Sequence, residues 1–582
     1  MRLIVLLLIF TLYGYPQVDD HMANDELDDP DETQYLDQLL TTLFQPFSIE
    51  TADTISLVEH GYSREVIEII HEWQKGDETL KSLQRRVHGK DLILLKKDIK
   101  MDSQQTQIHF RQRLQYSPSL KGWRILNKGR IWNKWGSVNV LTEQDPGEDK
   151  LTDHSVFTLS SHSIPWLDHV ILGDFHVNWG GGLILNQQGS RPSLNPRSLL
   201  RTKQSTIRPH YSSREIDYFK GIAGSFSYSK IHGVAFVSSR IQKGLSSRNQ
   251  FREDADGIHP TGKVLESKRK NDIGLALEAL SSRTQFYASA IYNPEIKSGL
   301  AYELGLSKKL DHSQRIQVYT NSLDSKNHRM TLTWAYFTPA LYVTLQYRHY
   351  ITDEVLAPGF ISTLLGTSAS NEKGLSARLQ MRPTRKLQIR YALETGNSVE
   401  FQTADDYRTI QQHKFQVIQK LDEGFLQFDY SRKLERPVLE GDIWGGQFSS
   451  HKITKSAVSL VHNFSSQFKY RMNLKSAFSG KEAALLVQQR LFNAKGRWKW
   501  TIGYVRFFIP DYTMRLSIYE TSVAESFSFY TAFDDGDRWF LYLKQQTLNW
   551  FDMEMKLVQT RSFDAPVVHK QLAISLQMSV VL

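Results

Sequence analysis

Basic side chains recur at alternate positions in several short stretches of this sequence. In "GLSARLQMRPTRKLQIRYALE", for example, arginine and lysine alternate with leucine, isoleucine and alanine. Alternate side chains of an extended strand lie on the same face. Such strands would line one surface with positive charge, which attracts anions. The residues that follow this pattern, and that we expect to face the interior of a wide barrel, are Arg378, Arg382, Lys386, Arg390, Lys469, Arg471, Lys475 and Lys499.

The same charges have a second interpretation. Acidic residues on a neighbouring strand could neutralise each of them, since opposite charges on adjacent strands attract each other. The sequence alone does not choose between an anion-attracting wall and a wall of paired charges.

No pattern in the chain is typical of enzyme chemistry. His-Glu-x-x-His, Gly-x-Ser-x-Gly and clustered metal ligands are absent, and the 19 histidines are scattered. His154 and His162 could form a triad with Asp153 and Ser160 only if the fold brought them together. The glycines of "NWGGG", residues 178–182, lack the lysine and the following helix of a phosphate-binding loop, and favour relief of crowding in a strand. We therefore predict no catalytic residue, no metal site and no cofactor, with an embedded hydrolase as the alternative.

Extended segments with two distinct faces must position the basic residues. In the stretch quoted first, one face carries Leu375, Ala377, Leu379 and Met381, and a Pro-Thr-Arg turn separates it from the next run. The same alternation occurs in "QFKYRMNLK" and "FDMEMKL". From about residue 101 onward, segments of this kind are joined alternately by short turns and long polar loops. The pattern predicts a mainly β fold, an antiparallel barrel of about 20–26 strands.

The last segment, "KQLAISLQMSVVL", decides between a membrane and a water-soluble sheet. Its apolar face would invite aggregation at a free sheet edge. In a closed barrel in lipid, that face meets hydrocarbon and both edges are paired. A soluble propeller or sandwich is the alternative, but no repeat of propeller length is visible, and charges recur on strand after strand. We predict an outer-membrane β-barrel over residues 101–582.

Composition agrees with this prediction. Aromatic residues make up 12% of the 582 residues, although the mean hydropathy is only −0.41. Outer-membrane barrels combine these properties because alternate residues face water. There is no cysteine, and the net charge of +9 suits an anionic partner such as lipopolysaccharide. A basic loop at residues 187–216 could either fold inward as a constriction or contact lipopolysaccharide outside.

The N-terminal part has a different pattern. Residues 1–17 contain an apolar run after Arg2, which is typical of a signal peptide, and residues 18–34 form an acidic, flexible leader. Residues 35–100 show helical periodicity, with Val66, Ile67, Ile70 and Trp73 on one face. We expect a small helical domain in the periplasm.

The helical segment also carries a resemblance. "FSIETADTISLVEHGYSREVIEIIHEWQKG" resembles a helix-hairpin-helix domain, with Gly61, Tyr62 and Ser63 as the hairpin. The chain is thus similar to helix-hairpin-helix domain-containing outer-membrane β-barrel proteins of Bacteroidetes-like bacteria. "VILGDFHVNWGGGLIL", residues 170–185, is similar to a strand with a glycine-rich end in such barrels. Function does not follow from this resemblance, and we expect the helical domain to act as a periplasmic plug or as a module that binds a periplasmic protein.

A nucleic-acid partner is the alternative that this resemblance raises. Hairpins that bind DNA use two glycines to expose backbone N–H groups to a phosphate. Here Ser63 replaces the second glycine, and Glu65 and Glu68 add negative charge to the next helix. We therefore favour a channel, transport or envelope-docking component, which is not an enzyme and contacts outer-membrane lipid, over a pore for DNA uptake.

Overall fold

The computed structural model of the chain describes most of residues 106–582 and eight residues further upstream. The upstream residues are Val66, Ile69, Ile70, Glu72, Trp73, Leu83, Arg86 and Val87. The breaks after residue 106 are 118–121, 134, 147–153, 163, 186–193, 195, 201–205, 213–217, 248–249, 254–265, 282, 295–298, 312, 323–327, 339, 352–371, 385, 399–407, 438–450, 466, 494–495, 524–527, 549 and 564–568.

In the part of the chain that the structure describes, twenty-four antiparallel strands form one continuous wall. The first half comprises β1 (Gln107–Ser117), β2 (Gly122–Asn133), β3 (Gly136–Gln144), β4 (His154–Ser161), β5 (His169–Asn178), β7 (Phe219–Tyr228), β8 (Ile231–Ser247), β10 (Glu266–Leu280), β11 (Thr284–Tyr292), β12 (Leu300–Lys309), β13 (Gln314–Ser322) and β14 (His328–Phe337). The second half comprises β15 (Leu341–Ile351), β16 (Glu372–Met381), β17 (Leu387–Ser398), β18 (Arg408–Leu421), β19 (Gly424–Pro437), β20 (His451–Asn463), β21 (Phe468–Ser479), β22 (Glu482–Asn493), β23 (Trp498–Phe508), β26 (Asp535–Leu548), β27 (Phe551–Ser562) and β28 (His569–Val581).

Four further described strands are not part of this wall. β6 (Thr206–Pro209) pairs with the end of β5, and β9 (Gln250–Glu253) pairs with the end of β8. β24 (Leu516–Glu520) and β25 (Ser528–Ala532) form a separate hairpin. Single 3-10 turns occur at Pro196–Leu199 and Tyr512–Met514.

Pairing of the first and last strands closes the wall into a barrel. β1 lies antiparallel to β28, with Phe110 opposite Val580 and Leu114 opposite Leu576. β28 also pairs along its length with β27. The C-terminal apolar strand therefore has no free edge, and the predicted barrel is confirmed, with a strand number inside the expected range.

The two faces of the wall have inverted polarity. In β14, Met330 and Leu332 are exposed on the outer face, whereas Arg329, Thr331 and Thr333 are buried on the inner face. The same arrangement recurs around the barrel, where exposed aliphatic residues alternate with polar or small residues on the inner face, as at Leu275, Leu304, Leu345 and Ile502. Water would favour the opposite arrangement, since exposed apolar area of this extent is unfavourable in a soluble protein.

Aromatic side chains border the aliphatic outer surface at both ends. Tyr116 and Trp123 lie in contact at one end of β1 and β2, with ring centroids 5.3 Å apart. Phe468 and Trp500 lie at the other end of their strands, with centroids 6.1 Å apart. Such belts are typical of strands whose ends lie at a membrane interface.

The connections differ between the two ends of the barrel. Short turns join strands at the end where β1 begins, as in the step from Leu421 to Gly424. All the longer connections lie at the opposite end, including residues 179–218 and 509–534. This asymmetry agrees with the prediction from the sequence.

The N-terminal domains predicted from the sequence lie almost wholly outside the described residues. Seven of the eight described upstream residues are helical, and Val66, Ile70 and Trp73 are buried. The hairpin residues Gly61, Tyr62 and Ser63 are outside the described part, as are the signal peptide and the acidic leader. No helix in the described part of the chain is long and apolar enough to cross a membrane.

Candidate functional site

Two long connections fold into the barrel interior and contact its inner wall. The first follows β5, and its backbone is held by one carboxylate of β12. Glu303, which is 1% exposed, accepts hydrogen bonds from the backbone N–H groups of Gly181 at 2.7 Å, Leu183 at 3.0 Å and Ile184 at 3.2 Å. Three donors satisfy an acid that would otherwise be costly to bury.

The glycines of "NWGGG" make this contact possible. Gly180 has φ of +53°, and Gly182 has φ of +71°. A Cβ atom on Gly181 would lie 2.4 Å from Cγ of Tyr319. The close approach of backbone to wall therefore requires glycine. The loop does form an anion cradle, but its anion is the side chain of Glu303 rather than a phosphate.

Further contacts fix the described residues of this first interior segment (179–185, 194 and 196–200) to the inner face of β11–β16. Arg329 donates from Nη1 to the Leu183 carbonyl oxygen at 3.1 Å, and Leu183 packs against Tyr287, Tyr319 and Tyr350. Thr344 donates from Oγ1 to the Pro196 carbonyl oxygen at 3.0 Å. The predicted basic loop therefore folds inward where it is described. Of its six basic residues, only the side chain of Arg208 is described.

The chain then returns along the inner face to the start of the barrel. The ring nitrogens His210 Nδ1 and His176 Nε2 are 2.7 Å apart, and Tyr218 stacks on His210 with centroids 4.4 Å apart. Tyr211 packs against a small cluster formed by Leu126, Leu141 and Val156 on β2–β4. This segment thus covers the inner wall on both sides of β5.

The second interior segment, residues 509–534, contains the β24–β25 hairpin. A buried ion cluster anchors it to the opposite part of the wall. Glu520, which is fully buried, accepts from Arg538 Nε at 2.6 Å and from Lys556 Nζ at 2.8 Å. Burial alone would raise the pKa of Glu520, but the two cations outweigh this effect and lower the pKa to about 2.

Backbone atoms of the same hairpin are held by polar side chains of the wall. Lys475 donates to the Ser517 carbonyl oxygen at 2.7 Å, and Gln488 donates to the Tyr519 carbonyl oxygen at 3.1 Å. On the apolar side of the hairpin, Ile518 and Leu516 pack with Leu486 and Phe507 of the wall. The hairpin is therefore packed as part of the interior.

The predicted basic residues fall into three groups. In the first group, a partner neutralises or holds the cation. Arg378 donates to Glu394 at 2.6 Å. Arg390 donates to Gln380 at 3.1 Å and to Gln416 at 3.0 Å, and Lys475 binds the hairpin as described.

The prediction that all eight residues face the barrel interior from a strand is wrong for the second group. Arg382 and Lys386 do not lie on strand faces, because β16 ends at Met381 and β17 begins at Leu387. Both residues are exposed in the connecting turn, where Lys386 pairs with Asp422 at 2.6 Å. The proline of the Pro-Thr-Arg turn cannot donate a ladder hydrogen bond, which ends the strand earlier than the charge pattern suggests.

The third group comprises Lys469, Arg471 and Lys499. Within the part of the chain that the structure describes, none of them forms a salt bridge. Arg471 and Lys499 line a cavity of about 270 Å³ on the inner wall, together with Arg490, Phe492, Asn493, Trp500, Thr501, Thr521 and Tyr542. The sequence therefore did not reveal that two of the predicted cations share a cavity with a third, Arg490.

The sequence analysis did not identify two carboxylates that hold the interior segments to the wall. Glu303 and Glu520 are isolated acids in otherwise apolar strands, in "LAYELGLSKK" and "LSIYE". Each is preceded by an aromatic or apolar residue on the other face. The presence of an acid on the polar face is the only local signal, and it does not indicate the distant backbone or cation that the acid binds.

The described residues contain no group of three histidine, aspartate or glutamate side chains that could hold a metal ion. His154 begins β4 and faces the interior, whereas His162 follows the last residue of β4 and stacks on His169 at 4.1 Å. These two histidines therefore lie at opposite ends of one strand and do not share a site.

No family model and no curated protein matches this sequence. Solved structures of similar layout include the siderophore receptor PirA from Pseudomonas aeruginosa, with 8% identity, a TM-score of 0.42, and 82% of this chain and 81% of that chain covered. The copper transporter OprC has 7% identity and a TM-score of 0.42, with 82% and 80% covered. The FrpB iron transporter from Neisseria meningitidis has 7% identity and a TM-score of 0.43, with 82% and 81% covered. At these values, no ligand or activity carries over to this chain.

Proposed function

We propose that this chain is an outer-membrane β-barrel that provides a restricted pathway for solutes through its interior. One observation carries the proposal: a closed barrel presents aliphatic residues outward, in a band bordered by aromatic rings, and polar and charged residues inward. Closed barrels satisfy every backbone hydrogen bond of a wall in lipid. An inverted polarity of this kind has its lowest free energy with hydrocarbon outside and water inside.

The two interior segments support transport rather than a purely structural role. Barrels with 16–18 strands leave an open aqueous channel, and those with 22 strands enclose a plugged interior. A barrel of 24 strands would leave a still wider opening if nothing folded inside. The described residues of the segments 179–200 and 509–534 fill part of that space. Passage of a solute therefore depends on the space that these segments leave open, or on their detachment from the wall.

Conductance in planar bilayers tests this proposal. Phe508 lies opposite Asp535 across β23 and β26, so an Asn-Gly turn can replace residues 509–534 without altering the wall. We expect a small conductance for the full chain and a clearly larger one for this variant. Shortening the connection 399–407 serves as the control and should leave the conductance unchanged. Absence of conductance in every variant would contradict a transport role.

For residues 35–100 we propose a periplasmic docking module that binds a protein partner or plugs the barrel. The segment precedes β1, so it joins the barrel at the end with short turns, which we assign to the periplasm. Ser63, Glu65 and Glu68 disfavour a phosphate partner. Fluorescence anisotropy of labelled duplex DNA with the full chain should show no binding at physiological salt. Micromolar binding that weakens steeply with salt would instead support DNA uptake.

A further inference from the structure

We propose that the basic cavity lined by β21, β22, β23 and β26 binds a small oxyanion of the phosphate type. This inference rests on the proposed function, because it assigns a solute class to the interior pathway. The cavity has a volume of about 270 Å³ and opens on the interior side of the wall. Its cations are Arg471, Arg490 and Lys499.

The strand register brings these cations together. Arg471 of β21 lies directly opposite Arg490 of β22, and Arg490 lies opposite Gly503 of β23. Lys499 is two residues before Thr501, which lies opposite both Phe492 and Tyr542. Side chains at alternate positions share a face, so all three cations lie on the inner wall of adjacent strands.

An anion would relieve the repulsion that Arg471 experiences from the cation opposite it. Like charges that lie directly opposite each other on neighbouring strands repel. Elsewhere in this part of the barrel, acids compensate the cations: Lys544 binds Asp552 at 2.9 Å and Glu554 at 3.1 Å. Tyr542 also donates to Glu554 at 3.0 Å. The carboxylates of Asp552 and Glu554 are therefore already engaged, as is that of Glu520, which precedes the lining residue Thr521. Arg471 and Lys499 form no salt bridge with a described residue.

The donors in the cavity suit an oxyanion better than a monatomic ion. Arg471 uses Nε to donate to Asn473 Oδ1 at 3.3 Å, which leaves the terminal guanidinium N–H groups for a ligand. A guanidinium presents paired donors that match two oxygens of one phosphate or carboxylate. Thr501 adds a neutral hydroxyl group, and Phe492 adds an apolar side.

The cavity also contacts the second interior segment. Thr521, which lines it, follows Glu520, the residue that anchors the β24–β25 hairpin. An anion in the cavity would therefore lie beside the last residues of that strand. This position makes the cavity a site on the interior pathway rather than on the outer surface.

Equilibrium dialysis of the full chain in detergent, with labelled inorganic phosphate, tests the site. We expect saturable binding at one site by the unaltered protein. The double variant Arg471→Gln with Lys499→Gln should bind at least tenfold more weakly, since each charge-assisted hydrogen bond contributes about a factor of ten or more. The matched control is Arg382→Gln with Lys386→Gln, which removes the same charge from an exposed turn and should bind as the unaltered protein does.

Competition with acetate and with glycerol phosphate separates the possible ligand classes, and stronger competition by the phosphate ester supports the proposed class. Lys499→Gln alone, at an exposed side chain, provides a variant that should retain the fold and still bind phosphate more weakly. The proposal is wrong if the unaltered protein shows no saturable binding, if the Arg471 and Lys499 variants bind normally, or if acetate competes better. Dialysis needs no pore, so phosphate binding without conductance would contradict the proposed pathway but retain the site.

Discussion

Glu520 is the residue on which the second interior segment depends most. Its carboxylate is buried between Arg538 and Lys556, and removal of one member of a buried charge cluster leaves the others uncompensated. We expect Glu520→Gln to weaken the attachment of the hairpin by about 3–5 kcal/mol. Because the chain has no cysteine, Ile518→Cys provides a single buried thiol, and its rate of maleimide labelling measures how often the hairpin opens.

In the Glu520→Gln background, this labelling should be faster by about two to four orders of magnitude. Asp422→Asn, which alters an exposed carboxylate in a turn, is the control and should leave the rate unchanged. Equal rates in both backgrounds would show that the ion cluster does not hold the hairpin.

The same cluster predicts a pH dependence. The pKa of Glu520 is lowered to about 2 from an ordinary value of 4.5. A lowered pKa means that the folded state favours the ionised form, so its stabilising contribution is complete above about pH 4.5 and decreases as the pH falls towards 2. The extent to which Ile518→Cys is protected from a pH-independent thiol reagent should thus be constant between pH 8 and pH 5. A loss of protection near neutral pH would contradict this assignment.

For Arg378, alternation in the sequence predicts the face of the strand but not the partner of the side chain. The pattern placed it on the inner face, which is where it lies, but the carboxylate of Glu394 that binds it comes from the next strand. Register decides such partners, and alternation alone does not reveal the register, because a shift by two residues leaves every side chain on the same face. The charge of Arg378 is therefore neutralised, whereas that of Arg471 is not neutralised by a described carboxylate.

A double-mutant cycle tests this pairing. Arg378→Gln and Glu394→Gln should each lower the stability by about 3–5 kcal/mol, because each removes the charged partner of a buried side chain. The double variant should be more stable than either single variant, as measured by the urea midpoint of the barrel in detergent. Additive effects would indicate that the two side chains do not interact.

At the scale of elements, the first interior segment is held by Glu303 and by the close approach of Gly181 to Tyr319. Leu183→Cys places a single thiol at a buried position of that segment. We expect slow labelling of this thiol in the unaltered background and labelling at least tenfold faster with Glu303→Gln, which removes the charged acceptor of three backbone N–H groups. With Asp311→Asn, at an exposed turn, the rate should remain slow. Rapid labelling without any second substitution would contradict the packing of this segment.

The strands were predictable and the interior segments were not, for a physical reason. A strand of such a wall has water on one face and lipid on the other, so its residues alternate between polar and apolar types. The described residues of the segments 179–200 and 509–534 instead contact the wall through backbone atoms, single acids and a few apolar side chains. Those contacts leave no period in the sequence, and a loop that folds inward has the same polar composition as one that lies outside.

For the whole molecule, the sequence indicated a barrel and bounded its strand number because the alternation continues to the last residue of β28. It did not show how the barrel closes. Closure depends on the pairing of β1 with β28, which are far apart in the sequence, and no local pattern indicates that they pair. The helix-hairpin-helix resemblance and the proposed periplasmic position of residues 35–100 stay predictions.

The orientation of the strand faces in lipid is the central claim, and spin labels on β14 test it most directly. Single cysteines at positions 329–334, labelled in liposomes, report accessibility to oxygen in the bilayer and to a water-soluble nickel reagent. We expect oxygen accessibility to peak at Met330, Leu332 and Trp334 and to be low at Arg329, Thr331 and Thr333, with a period of two. Accessibility without this period, or with its maxima at Arg329, Thr331 and Thr333, would contradict a membrane barrel.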